Sequence, residues 1–192
     1  MERDRLAAFS DGVIAVIITI MVLDLRIPHG TTLAALQASA PTFVSYILSF
    51  IYVAIYWNNH HHFFQLVPHV TGSILWANLH LLFWLSLIPF ATAWLGANHT
   101  AAIPTALYGL SLLMAAIAWY ILQTTIIHAQ GQKSALSQVL GRDLKGKLSP
   151  LLYALGISLA FVNPLWADAL YALVAMLWLI PDRRIEAALK SS

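Results

Sequence analysis

The chain has 192 residues, of which 60% are hydrophobic and only 9% charged, with a formal net charge of +2. Soluble domains carry about 25% charged residues, so this composition excludes an ordinary soluble domain and points to an integral membrane protein. No alternating strand pattern recurs, which makes the class helical. The sequence has no cysteine, so disulfides, thiolate-held zinc, iron–sulfur clusters and thiol nucleophiles are excluded. The basic residues gather in loops and near the ends, where they set topology and carry no sign of nucleic-acid binding.

The first apolar segment covers residues 6–27. Its run from Val13 to Leu23 is entered through Arg5, Phe9, Ser10 and Asp11 and left through Asp24 and Arg26. Ala38-Ser39-Ala40 has the look of a signal-cleavage site, but it lies well beyond the run, and Asp4, Asp11 and Asp24 do not suit a signal peptide. An uncleaved first span is therefore expected. A charge inside a bilayer costs about 2.5–3.5 kcal/mol even on lenient scales, which makes Asp11 a functional candidate by default. The plainer alternative is that Ser10 and Asp11 cap and anchor a packed helix.

Pro28, Gly30 and the small residues up to Ala40 read as a loop. A second span over residues 41–64 ends in Asn58-Asn59-His60-His61-His62, and a third over 73–95 carries Trp76, Asn78, His80 and a kinking Pro89. A fourth runs over 104–128. The hydrophilic stretch Gln130 to Lys147 follows, and then an apolar block interrupted at Asn163-Pro164. The halves of that block, 148–162 and 165–180, fall short of the ~20 residues a 30 Å core requires. They form either two short spans or a re-entrant hairpin, and both return the chain to the same side.

Six spans in one domain, residues 1–192, place nine of the ten Lys and Arg on one side, leaving Arg26 alone on the other. Cytoplasmic termini and a cell-membrane location are expected from that bias. No internal repeat, phosphate loop or nucleotide fingerprint appears.

At 100° per residue, Val16, Ile20, Leu23 and Ile27 lie within about 60° of one another, with Gly12 and Thr19 at the margin. Asp11 points about 140° away and Ser10 about 120°, so polar and aliphatic faces meet different neighbours. Arg5 stands about 120° from Asp11, too far to pair with it along one straight helix. Partners for the polar face are sought among Trp57, His61, Trp76, Asn78 and His80.

Arg5-x-x-x-Phe9-Ser10-Asp11 at the start of the first helix, followed by Gly12 and an aliphatic run with a Thr, resembles the signature of the transmembrane-protein-175 potassium channels. The six-span plan and Tyr56-Trp57-Asn58-Asn59-His60-His61 at the end of the second span extend the likeness to the prokaryotic branch. The resemblance implies a homotetramer in the lipid bilayer whose first helices line a path for monovalent cations. It implies a constriction of Val16, Ile20 and Leu23 with Thr19 beside it, and a network of Arg5, Phe9, Ser10 and Asp11 with second- and third-helix side chains behind the pore. Val16 is smaller than the residue expected in its layer.

Nothing matches a carbonyl filter, so only modest potassium selectivity is expected, from a hydrophobic constriction. Asp24 either concentrates cations at the outer mouth or sits solvated beside Arg26. His60-His61-His62 point 100° apart with no carboxylate near to complete a site, so neither metal nor cofactor is expected, the permeant K+ apart. Rival functions are a cation-coupled transporter using Asp11 and membrane histidines such as His80, and a non-conducting assembly protein. An enzyme is not expected, because Asp11, Asp24 and Asp168 are dispersed and no nucleophile–base pair appears.

Overall fold

In the computed structural model, residues 2–131 and 144–179 are described, and every regular element among them is a helix. The helices are α1 (Arg3–Leu23), α2 (Leu33–Ala38), α3 (Ala40–Gln65), α4 (Gly72–Ser86), α5 (Ile88–Ala97), α6 (Ala102–Gln130), α7 (Leu144–Ala160) and α8 (Pro164–Leu179). α1, α3, the α4–α5 pair and α6 are long and apolar enough to cross a membrane, at 21, 26, 26 and 29 residues. The chain is a multi-pass membrane protein.

Several elements differ in detail from expectation. α1 stops at Leu23, with Asp24 as its C-cap, so Ile27 lies beyond the helix and drops out of the aliphatic stripe. The first loop contains the one-and-a-half-turn helix α2, opened by the Thr32 hydroxyl accepting from Ala35 N–H, a Thr N-cap of the usual kind. The third span breaks at Leu87, two residues before Pro89. Proline has no N–H to continue the ladder, and its ring disfavours helix for the residue before it. Lys145 and Lys147 sit in the first turn of α7. Lys133, Arg142, Arg183, Arg184 and Lys190 lie outside the described residues, as does the end of the 165–180 segment.

Two apolar clusters hold the bundle together. The first joins Leu6, Ile14, Ile17 and Met21 of α1 to Val53 and Phe63 of α3, Leu81 of α4 and Leu122 of α6. The second joins Tyr52 of α3, Ala91 of α5, Tyr108 and Leu112 of α6, Tyr153 of α7 and Tyr171 of α8. In this second cluster Tyr171 is wedged between Gly109 of α6 and Gly156 of α7. A β-carbon at either glycine would overlap the tyrosine ring or its hydroxyl, so only glycine lets the two backbones close on it.

Candidate functional site

α1 has two faces of different character. Leu6, Ser10, Ile14, Ile17 and Met21 recur at three- and four-residue steps and are buried against the rest of the subunit. On another face Val16, Ile20 and Leu23 are 55%, 45% and 81% exposed. Apart from Gly12's chain neighbours and the backbone of α1 itself, no atom comes within 4 Å of the space a Gly12 β-carbon would occupy. The Thr19 hydroxyl donates to the Val16 carbonyl at 2.8 Å. Its proton is thus turned into the helix, which leaves the oxygen lone pairs on the exposed side.

The buried face carries a polar chain through three helices. Ser10 Oγ donates to the Leu6 carbonyl at 2.9 Å, Asn78 Nδ2 of α4 donates to Ser10 Oγ at 2.9 Å, and Asn78 Oδ1 lies 2.8 Å from His60 Nε2 of α3. Ser10, His60 and Asn78 are all buried. In hydrocarbon such groups have no water to fall back on, so the Ser10–Asn78 and Asn78–His60 links each tie two helices together at about 1 kcal/mol or less. A second link runs beside it: Trp57 Nε1 donates to Asp11 Oδ1 at 3.0 Å, and the Trp57 ring stacks on His61 at 5.9 Å. His61 is bonded to Gln65 at 3.0 Å.

Of the side chains expected in a network behind α1, the structure therefore brings together Ser10 with Asn78, and Asp11 with Trp57 and His61. The others stand apart. Arg5 and Phe9 are exposed, on the side of α1 that holds Val16 and Ile20, because positions 5, 9, 16 and 20 differ by about 60° at most around the helix. The Arg5 guanidinium has no hydrogen-bond partner among the described residues. Trp76 is 75% exposed on the outside of α4. His80 accepts from Trp84 Nε1 at 3.0 Å on its own helix, so it does not meet Asp11 as a coupling pair would require. Asp24 is exposed at the end of α1.

His60 was not singled out by sequence for this network, and it is the burial pattern of α3 that separates it from its neighbours. Ser45, Ser49, Tyr52, Val53, His60, Phe63 and Phe64 are the buried residues of α3. Their helical spacing puts His60, rather than His61, on the inward stripe. Among the described residues no three His, Asp or Glu side chains gather in a way that could hold a metal ion.

A second polar cluster lies between α3, α5, α6 and α8. Thr92 Oγ1 is 2.7 Å from both Ser49 Oγ and the Ile88 carbonyl, and Ser49 Oγ is 3.0 Å from Tyr108 Oη. Tyr52 Oη donates to the Tyr171 carbonyl at 2.6 Å, and Tyr171 Oη to the Thr105 carbonyl at 3.4 Å.

Residues 5–89, the segment carrying both α1 faces and the polar chain behind them, match the family model for the endosomal/lysosomal potassium channel TMEM175. A potassium channel of Chryseobacterium sp. (strain P1-3) is 55% identical over 192 residues, covering 100% of both chains. The chain belongs to the TMEM175 family. A potassium channel of Streptomyces collinus (strain DSM 40733 / Tue 365) is 31% identical, covering 91% of this chain and 90% of its own. The TMEM175 fold is reproduced in the crystal structure of a lysosomal potassium-selective channel TMEM175 homolog from Chamaesiphon minutus. It superposes with a TM-score of 0.82 at 24% identity, over 93% of this chain and 97% of that one. Human TMEM175, an endosomal/lysosomal proton channel, is 34% identical over 86 residues, which is 38% of this chain and 17% of that protein. Membership of this family, with relatives of the same length that are potassium channels, makes the chain a channel protein.

Proposed function

We propose that the chain forms a modestly potassium-selective cation channel, as a homotetramer in the cell membrane with cytoplasmic termini, whose path is lined by α1. The observation that carries this reading is the open face of α1. Val16, Ile20 and Leu23 form an aliphatic row left uncovered by the subunit's own helices, while the row of Leu6, Ser10, Ile14, Ile17 and Met21 is locked into the core. Four such rows around an axis make successive hydrophobic rings that an ion passes only after shedding water, and the narrowness of those rings sets selectivity. Thr19, with its hydroxyl proton committed to Val16, turns oxygen lone pairs toward such a path and supplies the polar contact a dehydrated cation lacks. Asp24 at the C-cap of α1 adds negative charge at the outer mouth.

Purified protein in liposomes or planar bilayers tests the proposal through the reversal potential between K+ and Na+. Currents that favour K+, with Ile20→Asn raising leak and lowering that preference while Val22→Ala at the same depth leaves both unchanged, support α1 as the path. Equal effects at Ile20 and Val22 overturn the pore assignment. Folded, oligomeric protein that passes neither ion overturns the channel.

A further inference from the structure

The polar chain behind α1 runs in one direction, and its far end decides that direction. The Leu6 carbonyl can only accept, so the single Ser10 hydroxyl proton goes to it. Ser10 Oγ must then accept from Asn78, which orients the amide with Nδ2 toward Ser10 and Oδ1 toward His60. An amide oxygen has no proton to give, so the proton between Asn78 and His60 belongs to His60 Nε2. A neutral imidazole carrying its hydrogen on Nε2 leaves Nδ1 as a bare acceptor. His60 Nδ1 is in fact buried without a hydrogen-bond partner, and the ring as a whole is 1% exposed and stacked on Phe64 at 4.4 Å.

A second proton on this ring would place a positive charge and an unanswered N–H donor in that enclosure. The titratable groups acting on the ring are Asp11 from α1 and His61 from α3 itself. α4 presents the neutral Asn78, and α6, packed on the adjoining Phe63, presents Trp119. Asp11 is held by Trp57 and His61 by Gln65, each outside the Leu6–Ser10–Asn78–His60 chain. The second proton leaves the Nε2–H bond to Asn78 in place, so the strain lies in the buried charge and the unanswered Nδ1–H, which are relieved only when the ring leaves its enclosure to hydrate or pair that N–H.

We propose that His60 is the positioning residue for α1 and works only as the neutral Nε2–H imidazole, so that acid releases α1 from α3 and α4 and lowers ion selectivity. The inference rests on the reading of α1 as the pore-lining helix. It goes beyond that reading by naming a buried, titratable group on a different helix as the control point. The residue never touches the ion. It acts through Asn78 and Ser10.

The permeability ratio of K+ over Na+ is the readout, because it does not depend on how many channels are active. Measured in proteoliposomes with the same pH on both sides, the wild-type ratio is expected to fall by at least about twofold on acidification from about pH 7.5 to about pH 4.5, a window that reaches below the ordinary histidine range. His60→Gln keeps an amide N–H where Nε2–H stood but cannot take up a proton, and its ratio should stay at the neutral wild-type value at both pH values. His60→Ala should sit at the lowered ratio throughout, and Asp11→Asn should retain the acid response. An acid response that persists in His60→Gln, is lost only in Asp11→Asn, or is missing from the wild type overturns the proposal. Nitrogen-15 spectra of the histidine rings in the folded wild type supply a test free of any variant. They should show His60 as the Nε2–H tautomer at neutral pH, and Nδ1–H there overturns the inference. If the wild type passes no selective current at neutral pH, the channel reading fails on its own, while the ring spectra still decide the protonation state.

Discussion

The subunit holds two buried polar clusters that solve the same problem with different chemistry. Both stitch helices together where lipid offers no hydrogen bonds. The cluster at α1 runs through an imidazole and an amide and ends on a single carbonyl. The cluster between α3, α5, α6 and α8 is built from Ser49, Thr92, Tyr52, Tyr108 and Tyr171, whose hydroxyls rotate to donate or accept as needed. A hydroxyl web tolerates rearrangement and keeps one charge state at ordinary pH. The imidazole–amide chain has one allowed direction and one allowed protonation state. The tolerant cluster sits in the body of the subunit, and the exacting one sits directly behind the helix with the open face.

Breaking the body should have the largest effect. Gly109→Leu drives a side chain into Tyr171, and overpacking of this kind costs about 1–3 kcal/mol and sometimes more. Loss of the monodisperse peak in size-exclusion chromatography is the expected result, partly restored when Tyr171→Leu clears the space. Next comes the chain behind α1. Asn78→Leu leaves the buried His60 N–H without its acceptor, for a loss of about 1–2 kcal/mol. Thermal unfolding in detergent should show a folded but less stable protein whose ion selectivity resembles that of acidified wild type. Thr92→Val should matter least, at about 0.6 kcal/mol, because Ser49 and Tyr108 still bond each other. The comparison is sharpened by pH. In acid the α1 chain loses stability once His60 is driven to take its second proton, whereas the hydroxyls of the second cluster keep their charge state. Melting curves of wild type and His60→Gln at the two pH values separate these contributions.

Much of the bundle was legible because hydrophobic length is a strong signal. The long apolar segments and the break before Pro89 could be read from the chain, and the facing of α1 followed from helical arithmetic once the segment was taken as a helix. Ser10 could be assigned to a face different from that of Val16 and Ile20 because the 100° step sets it about 120° from Val16. Choosing among adjacent histidines was harder, since His60, His61 and His62 are equivalent in type and only the burial pattern of α3 separates them. Arg5 and Phe9 were drawn toward the polar network by their place in the motif, although their angular positions set them beside Val16. The Gly109–Tyr171–Gly156 wedge joins residues 62 and 15 positions apart on three helices. Nothing local announces such a contact, which exists only once α6, α7 and α8 are assembled.

The length of α6 bears on the lipid around the subunit. Its 29 residues extend about 43 Å at 1.5 Å per residue, against a hydrocarbon core of about 30 Å. A helix that long tilts to stay covered or carries its ends into the headgroups, and such mismatch costs fractions of a kcal/mol per Å. Membrane thickness then becomes a mechanical input to the assembly.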